Sequence, residues 1–210
     1  MKAQPASFVA VIGATGAGKT AWIKQQIARE KPKRLIVWDF KPQSDYAGLG
    51  DVFTERGELA RAVIAAGERG SLRAIYRPGN RQSEYRDRFD WLCRLVYAWG
   101  NCTFIAEELA HVTKAGWSPD GWLSVVTLGR SEGLKVFGAT QRPALVDKTF
   151  LSAATLVHCG RLGTRSDRVT MADILDCKPE DLRDLRPLEW IERTDAGISR
   201  RGMLKFSGAT

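Results

Sequence analysis

The chain is poor in the residues that hold metals or crosslinks, with only two histidines and four cysteines in 210 residues. Cys93, Cys102, Cys159 and Cys177 form no C-x-x-C pair, and His111 and His158 lie outside zinc-type spacing. They read as reduced or buried side chains, not as a disulfide framework or a metal centre. Long apolar runs are missing too: none approaches the roughly 18 to 20 residues that span a bilayer. Met1-Lys2-Ala3-Gln4-Pro5 leads straight into a strand without the pattern of a signal peptide. A soluble, cytoplasmic protein is therefore expected. The sequence shows no internal repeat, no low-complexity segment and no linker. At 210 residues with 44% hydrophobic content it reads as a single domain, residues 1–210.

Positive charge, by contrast, is in surplus. Thirty-two Lys and Arg stand against 24 Asp and Glu, a formal net charge of +8. Nucleotide phosphates need only a few cations, whereas a surplus spread over Lys24, Lys31, Lys33, Arg34, Arg73, Arg77, Arg81, Arg86 and Arg88 suits a nucleic-acid backbone as well as an ordinary solvated surface.

The most informative segment is Gly13-Ala14-Thr15-Gly16-Ala17-Gly18-Lys19-Thr20, a complete G-x-x-x-x-G-K-[ST] phosphate loop directly after the apolar run Phe8–Ile12. A loop that wraps a triphosphate must bring backbone N–H groups onto its oxygens, and side chains at the glycine positions would obstruct that approach. Lys19 is placed to reach the β- and γ-phosphates of ATP, and the Thr20 hydroxyl to ligate Mg²⁺. The residues from Ala21 to Ala28 carry helical apolar spacing, which would aim the positive end of a helix at the phosphates.

Strand and helix patterns alternate along the chain, the signature of a mostly parallel sheet covered on both faces. Arg34–Asp39, Arg73–Tyr76, Cys102–Ala106, Leu134–Thr140 and Ala154–Cys159 read as strands. The segments around Glu55–Glu68, Ser83–Trp99, Ser166–Leu175 and Pro179–Leu185 read as helices, with further helical material around Trp117 and Trp122 and a loop over Phe40–Asp45. Leu188–Arg193 and Ser199–Phe206 flank Thr194-Asp195-Ala196-Gly197, which predicts a terminal hairpin over residues 186–206. The seven tryptophans fall mostly among helical apolar positions, which suits packing better than base stacking.

Two further constellations accompany the loop. An apolar strand ends in Glu107-Glu108, the form of a Walker B element: the first acid holds hydrated Mg²⁺, and the second orients and deprotonates the water that attacks the γ-phosphate. Asp is the more usual first acid, so Glu107 leaves the division of labour between the two open. The strand Leu134–Thr140 ends in Gln141-Arg142-Pro143; placed between the two Walker elements, it would bring the Gln141 amide to the γ-phosphate as a sensor.

Together these motifs, and the run Gly138-Ala139-Thr140-Gln141-Arg142-Pro143 in particular, resemble the FtsK/HerA superfamily of DNA-translocating ATPases. The small size is most similar to the genome-packaging ATPases of icosahedral viruses with an internal membrane. The resemblance spans roughly residues 6 to 165. It implies an α/β P-loop NTPase fold of the RecA/FtsK type with a C-terminal hairpin, and ATP with Mg²⁺ as its ligands. It also implies double-stranded DNA as substrate and a homo-oligomeric ring, usually a hexamer, at a capsid vertex or portal. In such rings an arginine acts on the neighbouring subunit's site; Arg130 is the first candidate, with Arg142, Arg165 and Arg168 as rivals. Channel loops would be sought at Arg77–Arg81 and Lys114–Trp117. Two other readings share the phosphate loop: a small-molecule kinase, against which the Glu108 and Gln141 pair counts, and an ATP-binding phage morphogenesis factor that does not pump DNA.

Overall fold

A computed structural model describes residues 7–41 and 46–206; Pro42–Asp45 of the expected loop, and the first residues of the chain, lie outside the described residues. In chain order the elements are β1 (Ser7–Ile12), α1 (Lys19–Glu30), β2 (Arg34–Trp38), β3 (Asp51–Phe53), α2 (Arg56–Ala66), β4 (Leu72–Tyr76), α3 (Tyr85–Trp99) and β5 (Thr103–Ala106). They continue with α4 (Asp120–Leu128), β6 (Lys135–Thr140), α5 (Lys148–Ala153), β7 (Leu156–Gly160), α6 (Arg165–Leu175), α7 (Pro179–Arg183), β8 (Glu189–Thr194) and β9 (Ser199–Met203). The nine strands form one sheet in the order β3-β4-β2-β5-β6-β1-β7-β8-β9. Seven run parallel, and the hairpin β8–β9 adds two antiparallel strands beyond β7.

The central strands are apolar at nearly every position because both of their faces are covered. Along β1 the side chains of Phe8, Ala10 and Ile12 enter a core shared with α2 to α7, while Val9 and Val11 face Trp22, Ile23 and Ile27 of α1. The same alternation divides Ile36 and Trp38 from Leu35 and Val37 in β2, and Val136 from Phe137 and Ala139 in β6. Buried Arg34 at the start of β2 ties two helices to the sheet. Its guanidinium stacks on the Trp99 ring at 3.8 Å and donates to the carbonyls of Gly67 and Gly100, which follow α2 and α3. A cation at two helix C-termini complements both dipoles.

Three local features depart from the sequence expectations. The short edge strand β3 and the helix α5 carry too few periodic residues to register; α5 is announced mainly by Asp147, whose side chain accepts from the Thr149 N–H at 2.9 Å as an N-cap. Trp117 is not helical. It closes a turn with Lys114, each backbone N–H bonding to the other's carbonyl, and α4 begins only after Pro119. The terminal hairpin takes its expected turn, with Gly197 left-handed at φ 77°.

Gly138 in β6 fixes how closely α5 approaches the sheet. A Cβ at this position would lie 2.4 Å from a ring carbon of Phe150 and 3.0 Å from Leu109. Gly138→Ala is expected to lower stability by about 1–3 kcal/mol through overpacking. The check is a lower denaturant midpoint at unchanged slope; an unshifted midpoint would mean that Phe150 yields freely.

Candidate nucleotide-binding site

The carboxyl ends of β1, β5 and β6 converge. Parallel registers pair Ile12 with Thr140 and Ala106 with Gly138, so the residues that follow each strand, Gly13, Glu107 and Gln141, leave the sheet at one edge. This is the edge where open parallel sheets bind ligands.

The phosphate loop is a backbone cradle. Gly16 and Gly18 are left-handed at φ 78° and 87°, and a Cβ at Gly13 would come within 2.8 Å of Ala17. Gly18 is the N-cap of α1 and offers no side-chain cap, so the first N–H groups of the helix are left to an external acceptor. Ala14 is pinned from the other side, its N–H donating to the Arg161 carbonyl at 2.9 Å. Buried Lys19 donates from Nζ to the carbonyls of Gly13 (2.7 Å) and Ala14 (3.3 Å). Burial pulls its ammonium below the ordinary lysine value, with Glu108 and then Glu107 opposing.

Both acids are buried, 7% and 4% exposed, yet their surroundings differ. Glu107 Oε1 accepts from the Tyr46 hydroxyl at 2.5 Å and from the Thr20 hydroxyl at 3.4 Å. The loop hydroxyl and the acid suited to a metal shell are thus side by side, a donor set of hard oxygens that fits Mg²⁺. Burial raises the Glu107 pKa, offset by the Tyr46 hydrogen bond and by Lys19 and Lys41. Glu108 instead is gripped by the sensor strand. Its Oε1 accepts from the Gln141 backbone N–H (2.8 Å) and the Thr140 hydroxyl (3.3 Å), and its Oε2 from Gln141 Nε2 (2.8 Å). Gln141 Oε1 in turn accepts from Thr15 Oγ1 at 2.7 Å, which closes a chain from the phosphate loop through the amide to the acid. Glu108 holds a left-handed backbone, φ 50°, a strained state for a residue with a long side chain and one that concentrates at functional sites.

The structure therefore brings together the eight loop residues, Glu107, Glu108 and Gln141. Arg130 is elsewhere. It follows α4 at the amino end of β6, donates to the Ala153 carbonyl at 3.1 Å and lies over the Phe8 ring, while Gln141 leaves the carboxyl end of the same strand. A six-residue strand separates them by about 20 Å. Among its rivals, Arg142 pairs with buried Asp167 at 2.9 Å, and Arg168 bonds to the carbonyls of Leu162 and Gly163. Two site residues escaped the sequence reading: Tyr46, and Lys41, whose Nζ lies 3.9 Å from Glu108 Oε2. Both follow β2, and only the pairing of β2 with β5 puts them beside the acids.

A phosphate loop on the first central strand, with two acids and an amide converging on it from the neighbouring strands, defines a P-loop NTPase in which one strand separates the loop strand from the acidic strand. No family model matches the chain. Protein P9 of Pseudoalteromonas phage PM2 is 31% identical over 179 residues, covering 83% of this chain and 78% of P9. The genome-packaging NTPase B204 of Sulfolobus turreted icosahedral virus 2, solved with ATP-gammaS, superposes with a TM-score of 0.79 at 15% identity over 98% of this chain and all of B204. The cytoplasmic domain of the Thermomonospora curvata type VII secretion ATPase EccC gives 0.65 at 16% identity, over 98% of this chain and 26% of that one. The two superpositions establish the fold. The identity with P9, sustained over most of both chains, places the protein in the family of that phage protein.

Because burial raises the Glu107 pKa, its charge opposes folding at neutral pH, and that penalty is relieved as pH falls through the raised folded value. In the presence of a chelator and without nucleotide, Glu107→Gln is expected to melt above the wild type at pH 7, with the difference shrinking on acidification. A Gln variant that melts lower at pH 7 would show that the Glu107 charge is compensated.

Proposed function

We propose that this protein is an ATP-driven motor that moves double-stranded DNA into a viral capsid. The observation that carries the reading is the hydrogen-bonded chain Thr15–Gln141–Glu108 at the phosphate loop, in a fold that matches a genome-packaging NTPase over its full length. A small-molecule kinase needs no water-activating glutamate, so the Glu108 and Gln141 pair counts against that reading and suits activation of a water.

In this reading the N–H groups of Gly13–Thr20 and the Lys19 ammonium bind the triphosphate, and Thr20 and Glu107 hold Mg²⁺. Bound there, Mg²⁺ neutralises charge on the β- and γ-phosphate oxygens. Glu108 accepts a proton from the attacking water. Gln141 Nε2 grips Glu108 in the nucleotide-free site, and as a γ-phosphate sensor the amide would swing towards the nucleotide. Nucleotide in the loop would draw the amide away and leave Oε2 of Glu108 to the water and to Lys41, so that the base is released only when substrate is present. Lys19 must turn from the loop carbonyls to the phosphates, exchanging two neutral acceptors for charged ones.

Arg130 cannot serve its own site across the length of β6. It can serve a neighbour's, which fits a homo-oligomeric ring, taken as a hexamer, with each site completed across a subunit boundary. The turns Arg77–Arg81 and Lys114–Trp117 both follow carboxyl ends of strands, on the β4 and β5 side of the sheet, and are the DNA-facing candidates. Arg86 stacks over the Trp117 ring at 5.3 Å and adds to this basic surface. No helix among the described residues is long and apolar enough to cross a membrane, so docking at a packaging vertex would rest on contacts with capsid or portal proteins.

Double-stranded DNA should stimulate ATP hydrolysis several-fold. Lys19→Ala should remove nearly all turnover, and Glu108→Gln should retain ATP binding while losing about a hundredfold or more in rate. Hydrolysis indifferent to DNA would retire the motor reading while leaving the site intact. For Arg130, rings mixed from Arg130→Ala and Glu108→Gln subunits should recover activity that neither pure variant has, because both defects can fall on one interface. Inactive mixtures with verified subunit exchange would exclude Arg130.

A further inference from the structure

A side-chain amide that swings between an acid and a phosphate needs a backbone that stays still. We propose that Asp167 and Arg142 are positioning residues for hydrolysis: their ion pair clamps the turn that carries Gln141 and braces it against the phosphate loop. The proposal rests on the reading of Gln141 as the γ-phosphate sensor and Glu108 as the base.

The turn after β6 is held from two sides. The Gln141 N–H donates to Glu108 Oε1 at 2.8 Å, that of Arg142 to Thr140 Oγ1 at 3.1 Å, and that of Ala144 to Asp167 Oδ1 at 3.0 Å. The Leu145 N–H closes the turn on the Arg142 carbonyl at 3.0 Å, and Pro143 has no N–H to satisfy. Asp167 Oδ2 accepts from Arg142 Nε at 2.9 Å and from the Thr164 hydroxyl. One side of the turn thus rests on the acid that must be freed for the reaction, and the other on an acid that takes no part in it. Asp167 is the side that can hold while the amide of Gln141 moves.

The same segment reaches the phosphate loop. The Arg161 carbonyl accepts the Ala14 N–H at 2.9 Å, and a Cβ on Gly160 would lie 3.0 Å from that of Ala17. Arg168 knits the segment to the start of α6 by donating to the carbonyls of Leu162 (3.3 Å) and Gly163 (2.7 Å). Residues 160–168 therefore touch the loop at one end and the sensor turn at the other, and set the spacing between them.

Helix capping alone does not account for Asp167. Thr164 caps α6, its Oγ1 accepting the Asp167 N–H at 3.3 Å. In a capping box the acid at this third helical position bonds back to the N-cap backbone, whereas Asp167 sends its carboxylate to Arg142 and Ala144. Asp167 is 1% exposed, and a buried ion pair is a weak source of stability. The geometry it imposes is the better account of its place.

Asp167→Asn keeps the size but sets an amide nitrogen against the Arg142 donor, and Arg142→Met alters a half-exposed side chain that the fold tolerates losing. ATP affinity by calorimetry, DNA-stimulated turnover and melting curves are compared for the wild type, both variants and the double variant, well below the lowest melting temperature. Each single variant should keep ATP affinity within about twofold while turnover falls about tenfold to a hundredfold, the cost of a misplaced group. The double variant should be no slower than the slower single, because the two residues act as one contact. Unchanged turnover, a matched loss of ATP affinity, or losses that multiply in the double variant would each overturn the proposal. So would recovery of activity on mixing Arg142→Met with Glu108→Gln subunits, since that would place Arg142 at the neighbour's site. A wild type that binds ATP without hydrolysing it would overturn the reading of Glu108 and Gln141 and the proposal with it, before any variant is made.

Discussion

The position of β6 between β1 and β5 is the constraint from which the site follows. Parallel pairing on both sides of one strand delivers a phosphate loop, a pair of acids and an amide to a single edge, within two residues of their strand ends. The strands are apolar at nearly every interior position and turn to polar chemistry at or just beyond their ends, so the reactive residues are confined to that edge. The Glu108 to Gln141 contact, two hydrogen bonds of 2.8 Å, is the most direct product of this arrangement. It also requires that Glu108 turn left-handed immediately after β5.

Concentrating charge at a buried edge has a cost that the neighbouring residues offset. Two acids, both almost fully buried, face Lys19 from the loop and Lys41 from the end of β2. Tyr46 and Thr20 supply hydroxyls to Glu107, while Thr140 and Gln141 supply theirs and an amide to Glu108. Removing the Glu107 charge is expected to stabilise the fold as it removes function, the usual relation between a strained site and the scaffold that holds it. The scaffold is secured elsewhere, by Arg34 across the ends of α2 and α3 and by the close approach of Phe150 to Gly138.

The part of the site that was legible in the sequence is the part whose chemistry is local. Gly13–Thr20 must be contiguous because consecutive backbone N–H groups form the cradle, and Glu107, Glu108 and Gln141 were visible as polar residues at the ends of apolar strands. Lys41 and Tyr46 were not, because their place beside the acids depends on β2 pairing with β5, a neighbour relation that periodicity does not encode. For the same reason Asp167 read as an ordinary helix residue until the packing of α6 against the turn after β6 put it on Arg142 and Ala144. In the fold, the long amphipathic helices and buried strands were legible, whereas β3 and α5 were too short to show a period. Trp117 was misplaced because an aromatic residue near helical spacing was counted with α4, although Pro119 sets the start of that helix.

The claim that Gln141 alternates between Glu108 and the γ-phosphate is tested most directly by a crystal structure with Mg²⁺ and a non-hydrolysable ATP analogue. The account predicts the triphosphate on the N–H groups of Gly13–Thr20, Lys19 turned from the loop carbonyls to the phosphates, and Gln141 Nε2 on the γ-phosphate with Glu108 Oε2 released. A bound analogue with Gln141 Nε2 still on Glu108 would contradict it.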